Sequence, residues 1–310
     1  MRTIEDLGKL LLTKDCLIRQ GYTDYGLRTA IRQGHITRLR QGVYIGTQNL
    51  QQISAWERYP LQILAQFKSA PSTVFSHQSA AVLHGLALIR VNQQKIHLYC
   101  KPSSRGYSPE TTRHALLQES TPYAVTPVGA ITTDIPTLLL DCARTLPFEE
   151  AVVIADSALY AQKISLAELY ILLRSFQGRG AAKAYKVAEN LSYLSESPGE
   201  TLTRMRLSEL GIRFRQQEPV VLGSKTYRGD FYLIDFDCFV EFDGNMKYSD
   251  FGSPEVAIAS ERARERQFLN SGARIFRTDW SEVFSHPERF ENRLKVFLRK
   301  ISEPNVHKKR

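Results

Sequence analysis

No apolar run in the 310 residues approaches the roughly 20 that a bilayer-spanning helix needs. Mean hydropathy is -0.29, and no membrane partner is expected. The N-terminal stretch MRTIEDLGKLLL carries acids and lacks a small-residue cleavage site, so it does not read as a signal peptide. The expected location is the cytoplasm. Cysteine is scarce: Cys16, Cys100, Cys142 and Cys238 are scattered, with no CxxC pair. That argues against a structural zinc site built from them. Each sits among apolar neighbours and is expected to be a buried free thiol. No internal repeat is visible.

What is present is an ordinary globular balance, 43% hydrophobic and 24% charged residues, in a chain long enough for two or three domains. Lys and Arg number 41 against 32 Asp and Glu, a net charge of +9. A basic surface attracts phosphate-rich partners, so the positions of the cations decide the reading.

Three regions separate by pattern. Residues 1–48 read as short helices followed by a basic, strand-like stretch. Residues 49–195 mix helices and strands and are expected to be α-rich. From SESPGE onward the order becomes helix, hairpin, helix, strand, helix, over 196–303, ending in a basic tail at 304–310. Ser197 suits an N-cap and Pro198 the first helical position.

In CLIRQGYTDYGLRTAIRQGHITRLRQGVYI, Cys16 to Arg19 suits a short helix. Thr23 caps a second, with Leu27, Ala30 and Ile31 inward, and Gly34 ends it. Ile36 to Ile45 then alternates around a turn at Gln41-Gly42. Helix, turn, helix and hairpin is the order of a winged helix-turn-helix. The second helix is expected to expose Tyr25, Arg28, Thr29 and Arg32 to a major groove of double-stranded DNA. Arg38 and Arg40 on the wing suit phosphate or minor groove. From Thr23 to Ile45 there are four arginines and one acid, Asp24. A small module with a solvated basic face, used for protein contacts, stays open.

In the middle region, VFSHQSAAVLHGL places His77 and His84 seven residues apart on one helical face. Metal-binding pairs on a helix sit three or four apart, so both read as packing or hydrogen-bonding histidines. TTDIPTLLLDCARTL reads as a capped helix with Leu138 to Leu140 buried and an Asp141–Arg144 ion pair. Arg179, Lys183 and Lys186 suit a solvated basic face. No catalytic constellation appears here.

The run KTYRGDFYLIDFDCFVEFDG reads as a hairpin. Alternation puts Asp230 and Tyr232 on one face, and Glu241 and Asp243 together on the next strand. A turn at Asp235-Phe236 sets Asp230 opposite Glu241. Like charges in that position repel by up to about 1 kcal/mol, and a divalent cation removes the repulsion. Hard oxygen ligands suit Mg²⁺, with Asp230 and Glu241 as the metal ligands. Glu200, Asp243 and Lys247 are expected to complete a catalytic group, Lys247 acting at a phosphate or on an attacking water. Arg277 is a candidate phosphate clamp. A solvent-facing acidic edge screened by Lys247 is the alternative.

The layout SPGET, RGDFY, VEFDG and ERARERQFLNSGARIFRTDW resembles the very-short-patch-repair endonuclease-like branch of the PD-(D/E)XK nucleases. The resemblance matches Glu200, Asp230, Glu241, Asp243 and Gly244, then Glu261, Arg264, Glu265 and Gly272, then Arg277. The chain departs from the pattern in two places. The superfamily's lysine lies two residues after its Glu, where this chain has Asp243, and the related branch often has His six residues after it, where this chain has Lys247. RLRQGVYI, FSHQSAAVLHGL and TLLLDCARTLPFEEAVVIADSAL resemble the AbiEi-type antitoxin family of bacteria. That likeness implies a winged helix that binds promoter DNA and a cognate toxin or operon partner.

The expected fold is therefore α+β and multidomain: a winged helix-turn-helix, an α-rich middle domain and a restriction-endonuclease-like α/β domain with a mixed sheet. Three functions remain open: a Mg²⁺-dependent DNA endonuclease, a non-catalytic antitoxin-like repressor whose nuclease-like domain only binds DNA or a partner, and a protein-interaction module.

Overall fold

The computed structural model describes residues 2–91, 95–100, 109–115, 122–222, 225–244 and 273–303. The architecture is mixed α/β, with helices set against three separate sheets. The chain divides into two compact units, Met1–Leu191 and Ser192–Arg310. Among the described residues, no helix is long and apolar enough to cross a membrane.

The first unit opens with α1 (Ile4–Lys9), β1 (Leu11–Thr13), α2 (Lys14–Arg19), α3 (Asp24–Arg32) and the hairpin β2 (Ile36–Arg40) and β3 (Val43–Gly46). Side-chain caps fix each helix start, because the first turn has backbone N–H groups without helical partners. Thr3, Thr13 and Thr23 accept from the N–H groups of Asp6, Cys16 and Gly26. Gly34, at φ +75°, ends α3 in the left-handed conformation that glycine adopts without strain. The three strands form an antiparallel sheet in the order β1-β3-β2. Leu17, Leu27, Ala30, Ile36 and Tyr44 close its core, with Leu12, Tyr22 and Ile31 partly buried against it.

The rest of this unit comprises α4 (Thr47–Gln51), α5 (Ala55–Ser69), β4 (Val74–Phe75), α6 (His77–Leu83), β5 (Ile96–Cys100), β6 (Thr111–Ala115), β7 (Tyr123–Val125), β8 (Ile131–Thr133), α7 (Ile135–Thr145), α8 (Phe148–Tyr160), α9 (Leu166–Ser175) and α10 (Ala181–Ala188). A five-stranded sheet, order β6-β5-β4-β8-β7, mixes parallel and antiparallel pairs. The region is helix-rich, as expected, with this sheet set among its helices. Its strands are two to five residues long, too short to show a period of two. α7 is capped, as expected, by Asp134, and carries the Asp141–Arg144 pair, 2.8 Å apart. Leu138 and Leu139 are buried and Leu140 only partly.

The second unit runs α11 (Pro198–Glu209), β9 (Phe214–Leu222), β10 (Lys225–Leu233), β11 (Cys238–Asp243), β12 (Ile275–Asp279), a π-helical turn (Ser281–Ser285) and α12 (Pro287–Ser302). Its sheet is mixed, order β12-β11-β10-β9, with β12 parallel to β11 and the other pairs antiparallel. Phe231, Leu233 and Val240 are fully buried. α12 adds Phe290, Leu294 and Leu298, four residues apart on one helical face. Cys142 and Cys238 are buried, but Cys16 within α2 and Cys100 at the end of β5 are only half-buried. The basic tail 304–310 lies outside the described residues.

α11 seats on β11 through a glycine. A Cβ on Gly199 would lie 2.0 Å from the Phe242 ring, so any side chain must displace a buried aromatic. Gly199→Ala is expected to destabilise the second unit by roughly 1–3 kcal/mol in urea unfolding. Gly8→Ala in α1, where a Cβ meets nothing within 4 Å, is expected to stabilise by about 0.5–1 kcal/mol. Equal effects of the two changes would contradict the packing.

Candidate functional site

The basic surface of the first unit is built on α3 and its hairpin. Tyr25, Arg28 and Arg32 are exposed, Tyr25 at 73%. Arg28 Nε donates to the Asp24 carbonyl at 3.2 Å, which holds the guanidinium along the helix. The one acid of the segment, Asp24, pairs with Lys14 at 2.9 Å. That hydrogen-bonded pairing lowers the aspartate pKa and raises the lysine's. On the hairpin Arg38 is exposed, its Nε donating to the Arg40 carbonyl.

Two expected groups fall away. The Thr29 hydroxyl oxygen is buried and has no hydrogen-bond partner, because Thr29 lies on the flank of α3 that turns toward the core. Arg40 is largely covered and pairs with Glu110 at 2.6 Å, since the strand bulges between Arg38 and Arg40 and redirects it. The exposed cationic set is thus Arg28, Arg32 and Arg38, with Tyr25 beside them.

In the second unit the hairpin turn occupies Ile234 to Asp237. The register pairs Phe231 with Val240 and Leu233 with Cys238, so Asp230 falls level with Glu241, as the sequence spacing predicts. Glu200 comes from the first turn of α11. It is buried, and three groups donate to its carboxylate: Ser197 Oγ at 2.8 Å, the Glu196 N–H at 3.0 Å and Gln217 Nε2 at 2.9 Å. Desolvation, then the nearby Asp230 charge, push the Glu200 carboxyl up to about 7. Asp230 and Glu200 are therefore electrostatic neighbours, in a place where like charges repel strongly.

The remaining expected residues divide. Glu241 is buried, and its carboxylate sits 3.9 Å from Arg277, its register partner on β12. Asp230 Oδ2 accepts from the Phe242 N–H at 2.9 Å. Asp243 is exposed at the end of β11. Lys247, with Glu261, Arg264, Glu265 and Gly272, lies outside the described residues. The carboxylates are hard oxygen donors of the kind Mg²⁺ takes, with Asp230, Glu241 and Glu200 the groups that would hold it. Among the described residues, however, they do not close to within 4.8 Å as a group of three.

The group that does close is different. One ring nitrogen each from His77 (α6), His97 (β5) and His114 (β6) lies within 4.8 Å of the others. His97 Nδ1 and His114 Nε2 are 2.9 Å apart, and the His77 and His114 rings stack at 3.8 Å. Burial and the neighbouring rings lower His77 to about 2 and His97 to about 4, and burial lowers His114, so these imidazoles are neutral. Helical spacing pairs His77 with His84 only, and His84 instead bonds Thr132 Oγ1 at 2.8 Å. No sequence motif joins three histidines from three elements. The signal appears only once β5 and β6 are paired.

No protein-family model and no curated protein matches this chain.

Glu200 supplies a pH test. Its folded pKa is raised, so the folded state holds a proton that the unfolded state has released between about pH 4.5 and 7. Stability drawn from it is present below that window and lost as pH rises through it. Relative to Glu200→Gln, the wild type is expected to lose up to about 3 kcal/mol across that range, read by urea unfolding at stepped pH. A constant difference between the two proteins would contradict the burial.

Proposed function

We propose that this chain is a DNA-binding protein whose second unit hydrolyses phosphodiester bonds as a Mg²⁺-dependent endonuclease. The observation that carries the reading is the exposed row of Tyr25, Arg28 and Arg32 on α3 beside Arg38 on the hairpin. Helix, strand, helix, helix and hairpin, with sheet order β1-β3-β2, supports a winged helix-turn-helix reading. In that plan the second helix of the pair enters the major groove and the wing touches the backbone. Arginines in such positions grip phosphate and read guanine. Lys14 pairs with Asp24, which offsets the one acid of α3 against the polyanion.

The hydrolytic half rests on Glu200, Asp230 and Glu241, brought together on α11, β10 and β11. When bound, a divalent ion polarises the phosphate and lowers the pKa of an attacking water. Glu200, already holding a proton near neutral pH, is suited to give or take one beside Asp230. Arg277 lies level with Glu241, which supports a role for it against phosphate charge.

A second reading, an antitoxin-like repressor that binds DNA without cutting it and works with a toxin partner, draws on one observation. Asp230 and Glu241 already have protein partners in the Phe242 N–H and Arg277.

Arg28→Ala, Arg32→Ala and Arg38→Ala combined are expected to weaken duplex DNA binding and flatten the log–log salt slope by about 3, near 0.9 per lost phosphate contact. Arg40→Ala, whose guanidinium is held by Glu110, is expected to change it less. These are read by fluorescence anisotropy across a salt series. Unchanged binding in the triple variant removes α3 as the reader. Plasmid cleavage in Mg²⁺ or Mn²⁺ is expected in the wild type and lost in Asp230→Ala. Tight binding with intact plasmid selects the repressor.

A further inference from the structure

We propose that His77, His97 and His114 form a transition-metal site in the first unit, taking one zinc-like divalent ion. It is separate from the carboxylate site and independent of the proposed nuclease chemistry. The three side chains reach one point from three elements. His77 opens α6, His97 lies on β5, and His114 lies on β6, whose register places it opposite Tyr99. The backbone holds the first two together: the Ser76 N–H donates to the His97 carbonyl at 3.0 Å, and the His97 N–H donates to Ser79 Oγ at 2.8 Å.

Zinc takes imidazole nitrogens at about 2.0–2.1 Å in a tetrahedron, which puts ligand nitrogens about 3.3 Å apart. His97 Nδ1 and His114 Nε2, at 2.9 Å, need only a small opening. At His77 the Nδ1 faces Ser76 Oγ at 3.1 Å, while Nε2 is buried without a hydrogen-bond partner. Leaving such a nitrogen unsatisfied costs about 1–3 kcal/mol. A hydroxyl on one ring nitrogen with the other free is the outer-shell arrangement of a metal-binding histidine. His77 also adopts φ +49°, the left-handed region, a cost that non-glycine residues bear chiefly where the surroundings hold them.

One feature of the geometry has to change on binding. The His77 and His114 rings are stacked, 16° from parallel, and ring lone pairs lie in the ring planes. One ring must rotate out of the stack for both to meet one ion. Beyond the histidines, Asp141 is bound by Tyr99 and by Arg144. The carboxylate and guanidinium cancel, so no net charge at that side opposes a cation. Three protein donors leave a fourth position for water or an added ligand.

The test uses the full chain, stripped with chelator and titrated with Zn²⁺ by calorimetry. Asp230→Asn/Glu241→Gln is the background that removes carboxylate binding. One ion per chain is expected in that background, with affinity falling at least 100-fold when His97→Gln and His114→Gln are added. X-ray absorption of the zinc-loaded background protein, which retains all three histidines, is expected to show three imidazoles on the metal. Equal isotherms with and without the histidine changes, or fewer than two imidazoles, would overturn the site. Because the absorption measurement keeps the histidines, a misfolded histidine variant does not shield the proposal.

Discussion

The burial of Glu200 beside Asp230 is the constraint around which the second unit is arranged. A carboxylate removed from water is tolerable only if it is protonated, hydrogen-bonded or matched by a cation. Here the first two operate: Ser197, Glu196 and Gln217 donate to it, and its pKa rises to about 7. The same residue forms part of the start of α11, where Ser197 accepts from its N–H. Gly199, one residue before it, lets the helix approach Phe242. One helical turn thus sets the acid, the cap and the contact with the sheet.

The first unit depends on a different economy of charge. On α3 and the hairpin, Arg28, Arg32 and Arg38 face outward because the apolar residues of those elements face inward to one small core. Two nearby acids are occupied, Asp24 by Lys14 and Glu110 by Arg40. The outward side of α3 and the hairpin carries Tyr25, Arg28, Arg32 and Arg38, the residue types that stack on bases and pair with phosphate. Farther along this unit Ser76, Gln78 and Ser79 are buried, and His77 of α6 meets His97 and His114.

Much of this was legible in the residues. Thr23, Gly34 and the turn at Gln41-Gly42 mark α3 and the hairpin by local chemistry alone. The Asp230–Glu241 register follows from counting residues back from a turn, because strand side chains alternate strictly. Other features were not legible. The middle sheet is made of strands as short as two residues. Thr29 and Arg40 sit where one helical flank and one β-bulge decide direction, and neither leaves a mark in the sequence. The histidine cluster joins residues 77, 97 and 114 through strand pairing, so only tertiary structure assembles it.

The most direct test of the carboxylate account is the Glu200 side-chain pKa, followed by carbon-13 NMR of its carboxyl group with and without Mg²⁺. A value near 7 in the metal-free protein, falling by more than one unit with saturating Mg²⁺, is the predicted result, since a bound cation offsets the Asp230 charge. A value in the ordinary carboxylate range near 4.3, or one that Mg²⁺ leaves unmoved, would contradict a cation site built on Glu200, Asp230 and Glu241.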